Sequence, residues 1–270
     1  MVPLGKIFSK AWHYALDLKR IMVFFLLFVP FVVIFTAFLD SEAEILVQFA
    51  SFAVTGIMPQ NLVVGFSSFI ILLITTLVIV SLIGIYAAGV IIENAKIYYT
   101  GKKVPLKKSM PAMKGRFLSL LGAVLITKII LAGLGSVPFI GFVFIIVLSW
   151  VFLVVMQSVV VSKKGTFDAI KESYSLFMSR KLDTFVFWLL IAVFAAVLTL
   201  LAFVPLLIAS WPILAKMFTL SPVSLIELIR ASLPQLFVAG LITSFILAFA
   251  QVFKESVTTF FYIEAKKKRR

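Results

Sequence analysis

Residues 62–92 read LVVGFSSFIILLITTLVIVSLIGIYAAGVII, without one charged side chain. At 1.5 Å rise per residue, a helix of this length covers roughly 46 Å, more than the ~30 Å hydrocarbon core of a bilayer. The stretch is predicted to cross a membrane with a tilt, or to protrude beyond it, and Gly84 and Gly89 offer places for a bend. Five further stretches satisfy the rule of about 20 mostly apolar residues per span: 21–39, 117–135, 139–161, 185–210 and 236–253. The predicted fold class is an all-α integral membrane protein with six transmembrane helices, forming a single polytopic domain over residues 1–270.

Composition agrees. The chain is 63% hydrophobic and 13% charged, against about 45–50% and about 25% in a soluble domain. So much apolar surface cannot be hidden in one water-soluble core, which excludes a soluble enzyme and a disordered chain. The absence of cysteine removes disulfides, thiol nucleophiles and thiolate metal sites. A lone histidine, His13, cannot build a histidine metal cluster. The first span is too long for a signal-peptide core and follows an amphipathic segment, so it is read as retained.

The net charge of +14 is mainly a statement about topology. The segments outside the six spans carry, in chain order, 4, 0, 7, 0, 5, 2 and 6 basic residues. One side of the membrane therefore holds 22 basic residues and the other two, with Lys128 inside a span. By the positive-inside rule both termini are predicted to be cytoplasmic, in a multi-pass protein of the cell membrane. Nucleic acid is not an expected partner. Anionic lipid of the inner leaflet is, with each exposed basic residue contributing about 1 kcal/mol near the surface. The candidate contacts are Lys6, Lys10 and Arg20 before the first span, and Lys102, Lys103, Lys107, Lys108, Lys114 and Arg116 before the third. Lys163, Lys164 and Arg180 precede the fifth.

The basic segments are also patterned. Leu4, Ile7, Phe8, Ala11, Ala15 and Leu18 recur at helical spacing opposite Lys6, Lys10, His13, Asp17 and Arg20, which predicts an amphipathic helix in the headgroup plane, with Trp12 and Tyr14 near the boundary. Phe167, Ile170, Tyr174 and Phe177 form a comparable face before the fifth span. Pro111 predicts a shorter or kinked version over 106–113. Ser109 and Ser173 each precede an arginine by seven residues, Arg116 and Arg180, and Tyr14, Leu16 and Arg20 match Tyr174, Leu176 and Arg180. These matches predict three copies of one unit, an elbow helix followed by a transmembrane hairpin. On the outer side, residues 135–138 predict a tight turn. Ser41 with Glu44, and Ser224 with Glu227, predict helix-opening capping boxes.

The stretch GVIIENAKIYYTGKKVPLKKSMPAMKGRFLSLL at 89–121, repeated in style by KKGTFDAIKESYSLFMSRKLDTFVFWLL at 163–190, resembles a broad group of prokaryotic, largely archaeal, six-span membrane proteins. That group includes the YciC-like inner-membrane proteins and the membrane domain attached to some glycerophosphodiester phosphodiesterases. The resemblance implies a bundle of three elbow-plus-hairpin units. The phosphodiesterase barrel has no counterpart in this chain, so that activity does not transfer.

Lys128 is the anomaly, twelve residues into the third span. A lysine at mid-membrane costs about 2.5–3.5 kcal/mol on insertion scales, and such residues usually face a bundle interior or a wet cavity. Ser149 and Trp150 lie at comparable depth in the fourth span, Gln157 lies further along it, and no acid is expected within a span. Lys128, Ser149 and Gln157 thus form a candidate intramembrane polar site, open to two readings: an anion or headgroup site, or a lysine that snorkels to the interface or is capped by carbonyls in a broken helix. No Ser/His/Asp set, HExxH, P-loop or GxGxxG is present, and no cofactor is expected. The leading expectation is a non-catalytic protein acting by lipid contact, packing or partner binding. The alternative is a transporter or permeation protein with a cavity near Lys128.

Overall fold

The computed structural model describes residues 2–41, 43, 60–102, 104–137, 140–217 and 219–267. Among these residues every regular element is helical: α1 (Leu4–Ala15), α2 (Leu18–Ser41), α3 (Gln60–Tyr99), α4 (Met110–Lys114), α5 (Phe117–Gly135), α6 (Ile140–Val151), α7 (Val155–Val161), α8 (Thr166–Ser179), α9 (Lys181–Lys216) and α10 (Pro222–Lys267), with a 3-10 turn at Leu106–Lys108. Six helical segments are long and apolar enough to cross a membrane. They carry prolines (Pro30 in α2, Pro205 and Pro212 in α9, Pro234 in α10) without ending. An apolar surrounding offers freed backbone groups no water, so remaining helical is the least costly choice.

Several boundaries differ from those expected. The second span is a 40-residue helix with no break at Gly84 or Gly89, because Gly89 is used for close packing: a Cβ there would lie 2.4 Å from Met113 Cε and 2.9 Å from Leu120 Cδ2. The helix stops before Gly101, whose φ of 88° is a conformation glycine adopts without strain. The sixth span does not stop near Phe253. Helix α10 runs 46 residues to Lys267, since Val257, Phe260 and Phe261 continue a fully buried stripe beyond it. No separate helix opens at Ser224. Instead α10 is continuous from Pro222, well before the expected start at Leu236, with Ser221 Oγ accepting from the Ser224 amide at 3.3 Å. The other capping box includes Glu44 and the outer turn includes Pro138; both residues lie outside the described residues.

The chain packs as two compact units: residues 1–24, 82–197 and 249–270, and residues 25–81 and 198–248. The second unit has an apolar core. Leu39, Ala43, Leu225, Ile229 and Leu236 form it. Phe38 stacks on Phe69 with ring centroids 3.8 Å apart, and Thr243 Oγ1 donates to the Ala202 carbonyl at 2.7 Å.

The first unit carries ion pairs, such as Lys266 with Glu172 at 2.7 Å and Arg180 with Asp183 at 3.2 Å. Its core joins Val90 and Ile92 of α3, Met113 of α4, Leu120 and Ala123 of α5, Val155, Val159 and Val160 of α7, and Ala169 of α8. Helix α1 buries Ile7, Ala11, Tyr14 and Ala15, while Leu18 is exposed. Its inward stripe is therefore turned toward Tyr14, away from the predicted Leu18 edge, because it packs on other helices of the chain. Tyr14 Oη donates to Asn94 Oδ1 at 3.0 Å, and Asn94 Nδ2 donates to the Val104 carbonyl at 2.9 Å. One buried asparagine thus ties α1, α3 and the basic loop together. Helix α8 buries Ala169, Ser173 and Leu176, whereas Phe167 and Tyr174 of its predicted apolar face are exposed.

Candidate functional site

The site begins with a break in the fourth span. Residues 139–161 read as one helix in the sequence, but α6 ends at Val151 and α7 begins at Val155. Backbone pairing shifts there from i−4 to i−3: the Leu153 amide donates to Trp150 O and the Val155 amide to Phe152 O, each at 3.3 Å. In an unbroken helix Val155 would have bonded Val151, whose carbonyl is thereby released. Ser173 on α8 replaces that donor, its Oγ donating to Val151 O at 2.7 Å. No glycine or proline marks the break; a hydroxyl from another helix makes it tolerable.

The break lines a cavity of about 370 Å³, walled by α5, α6, α7, α9 and α10. It brings together the three residues singled out from sequence, Lys128, Ser149 and Gln157, and adds Thr127, Trp188, Lys254 and Glu255. Lys128 and Lys254 are both exposed as well as cavity-lining, so they stand at its mouth. Gln157 and Glu255 are buried, 2% and 3% exposed, and form the floor.

The floor is organised around the carboxylate. Glu255 accepts from Gln157 Nε2 at 3.3 Å and from Gln251 Nε2 at 3.0 Å. Gln157 Oε1 is buried and has no hydrogen-bond partner among the described residues. On the wall, Trp188 Nε1 donates to Ser149 Oγ at 3.1 Å, and Ser149 donates its own proton to Ile146 O at 2.8 Å. Trp150, expected beside Lys128, is engaged elsewhere, donating to Thr184 Oγ1 at 3.0 Å. Among the described residues no carboxylate lies within ion-pair distance of Lys128 or Lys254.

Lys254, Glu255 and Trp188 join the site only in the structure. Ending the sixth span at Phe253 assigns the next two residues to a solvated tail. A signal is nonetheless present: Val252, Phe253, Ser256, Val257, Thr259 and Phe260, all buried, continue at helical spacing through the charges.

The basic residues expected at lipid fall into two groups. Lys6, Lys102, Lys107, Lys108, Lys114, Lys163 and Lys164 are exposed and make no ion pair among the described residues; Lys103 lies outside the described residues. The other four are engaged inside the protein. Lys10 Nζ donates to Tyr99 O at 2.8 Å, and burial, with Lys267 nearby, holds its ammonium below the usual lysine range against the opposing pull of Glu264. Arg20 is buried, donates to Tyr14 O at 2.7 Å and lies 3.7 Å from the Tyr14 ring centre. Arg116 donates to Val160 O at 2.7 Å and lies 3.6 Å from Glu93. Arg180 pairs with Asp183 at 3.2 Å.

No protein-family model, curated protein or solved structure matches this chain.

Proposed function

We propose that this protein is a non-catalytic, multi-pass protein of the cell membrane, with both termini cytoplasmic, whose cavity binds the charged headgroup of an anionic amphiphile. The three elbow-plus-hairpin repeats and the likeness to six-span prokaryotic proteins belong to the same reading. The observation that carries it is the cavity itself. Lys128, costly in a span, opens onto a largely apolar cavity shared with Lys254, Ser149 and the broken α6–α7 segment. Irregular backbone at membrane depth is tolerated where it is buried or lines a cavity, and such broken helices accompany substrate sites in transport proteins. The elbow helices, with Phe167 and Tyr174 directed outward, suit the headgroup layer.

Binding is favoured over catalysis by the kind of groups present: two cations, a hydroxyl, an amide and a carboxylate already held by two amides. Native mass spectrometry of the purified chain with an anionic phospholipid tests it. Lys128→Ala combined with Lys254→Ala should weaken retention about tenfold, equivalent to ~1.4 kcal/mol, while Lys107→Ala with Lys108→Ala leaves the tightest-bound lipid in place. Equal losses from both pairs would leave only a diffuse basic rim. Headgroup cleavage by the purified protein in liposomes would replace binding with an enzymatic role.

A further inference from the structure

The cavity is polarised, and its polarity selects among headgroups. Its mouth carries two exposed lysines. Its floor carries acceptors without a full set of donors. Gln157 turns its Nε2 toward Glu255, which accepts from it at 3.3 Å. This leaves Oε1 as a buried acceptor with no donor among the described residues, a situation that ordinarily costs the full desolvation of the group. Beside it lies the Glu255 carboxylate, which no protein cation approaches within ion-pair distance among the described residues. Gln157 and Gln251 use two of the roughly four lone-pair positions of that carboxylate. An anion alone would satisfy the mouth and leave Gln157 Oε1 without a donor.

We infer that the cavity takes a zwitterion bearing a primary ammonium, with its phosphate or carboxylate between Lys128 and Lys254 and its ammonium donating to Gln157 Oε1 and Glu255. An ammonium has three donors and no acceptor, which is what an orphaned amide oxygen beside a carboxylate lacks. A volume of about 370 Å³ is near the lower end of ligand pockets, about 300–1,000 Å³. It admits an aminophospholipid headgroup, with the acyl chains left outside, or a free amino acid. Both sources present the same chemistry.

This inference rests on the reading that Lys128 and Lys254 hold the anionic group of a headgroup, and it changes that headgroup from net anionic to zwitterionic. It is tested by isothermal titration of the full chain in detergent with short-chain phosphatidylethanolamine, its N-acetyl derivative, short-chain phosphatidylglycerol, and free glycine as the solute representative. Phosphatidylethanolamine should bind about tenfold or more tighter than its N-acetyl derivative and than phosphatidylglycerol. Glu255→Gln, which keeps the shape, and Gln157→Leu should each erase most of that preference while phosphatidylglycerol binding stays within about twofold. Glycine binding with the same dependence on Glu255 assigns the site to a free solute, and its failure to bind assigns it to a lipid; either keeps the zwitterion. Equal binding of all three lipids to the unaltered chain, with loss in the Lys128→Ala and Lys254→Ala variants, overturns this inference and keeps the anionic site, water being enough for Gln157. Absence of lipid and glycine binding overturns both. Where Gln157→Leu does not fold, Glu255→Gln alone decides.

Discussion

The hydroxyl of Ser173 donates to the Val151 carbonyl at 2.7 Å, and this bond closes the gap left where the fourth span changes its hydrogen-bond pattern. Ser173→Ala leaves a buried carbonyl without a donor. The expected cost is about 1–3 kcal/mol, read as a lower thermal midpoint in detergent, with Ser173→Thr keeping part of the stability because it keeps the hydroxyl. A Ser173→Ala chain as stable as the original would mean that the break is held by something else.

Gly89 faces Met113 and Leu120 so closely that a methyl group has no room. Alanine in a helix is ordinarily better than glycine by about 1 kcal/mol, but crowding a packed core costs typically 1–3 kcal/mol. Gly89→Ala should therefore destabilise. The same change made on a Met113→Ala background should be less harmful, a coupling that a double-mutant cycle measures. Gly84, where a methyl carbon would have no atom within 4 Å, is the control: Gly84→Ala should be neutral or stabilising.

Arg20 and Lys6 both belong to the basic segment before the first span, yet they should behave differently. Arg20 is buried on Tyr14, so Arg20→Ala removes a charged hydrogen bond and a cation–π contact together, about 2–4 kcal/mol. Lysine cannot reproduce the planar fork, and Arg20→Lys should recover only a fraction. Lys6 is exposed, and Lys6→Ala should change stability by about 0.5 kcal/mol or less. Chemical denaturation of the three variants in matched micelles checks the order.

Tyr14 supplies a pH dependence of known sign. Burial holds its phenol well above the ordinary value of 10.0, with the Arg20 guanidinium pulling the other way. The folded state therefore keeps the phenolic proton at a pH where the unfolded chain has lost it. This contribution to stability is complete below pH 10 and falls as pH rises above it. Tyr14→Phe should abolish that part of the alkaline decline, while losing the hydrogen bond to Asn94. An unchanged slope between about pH 10 and 11 in the variant would show that Tyr14 titrates as a solvent-exposed phenol does.

Much of the site is legible in the sequence as anomalies. A lysine twelve residues inside an apolar run identifies itself, and Ser149 and Gln157 are among the few polar residues of the fourth span. Glu255 does not stand out, because a charge after an apolar run reads as the end of a span. Only the buried stripe running past it, through Val257 and Phe260, shows that the helix continues. The break at Val151–Val155 has no local mark either, since the hydroxyl that sustains it lies twenty-two residues away.

Six membrane-long helices and the positions of their apolar centres follow from composition along the chain, because transfer of apolar side chains out of water is nearly additive and local. Which polar groups meet is not additive. Arg20 and Lys6 have similar charge and neighbourhood in sequence, and one is locked on Tyr14 while the other is exposed. Lys128 is visible as an isolated charge, but its company of Lys254, Gln157 and Glu255 depends on how the helices around the cavity cross, and the balance of buried donors and acceptors exists only once they have done so.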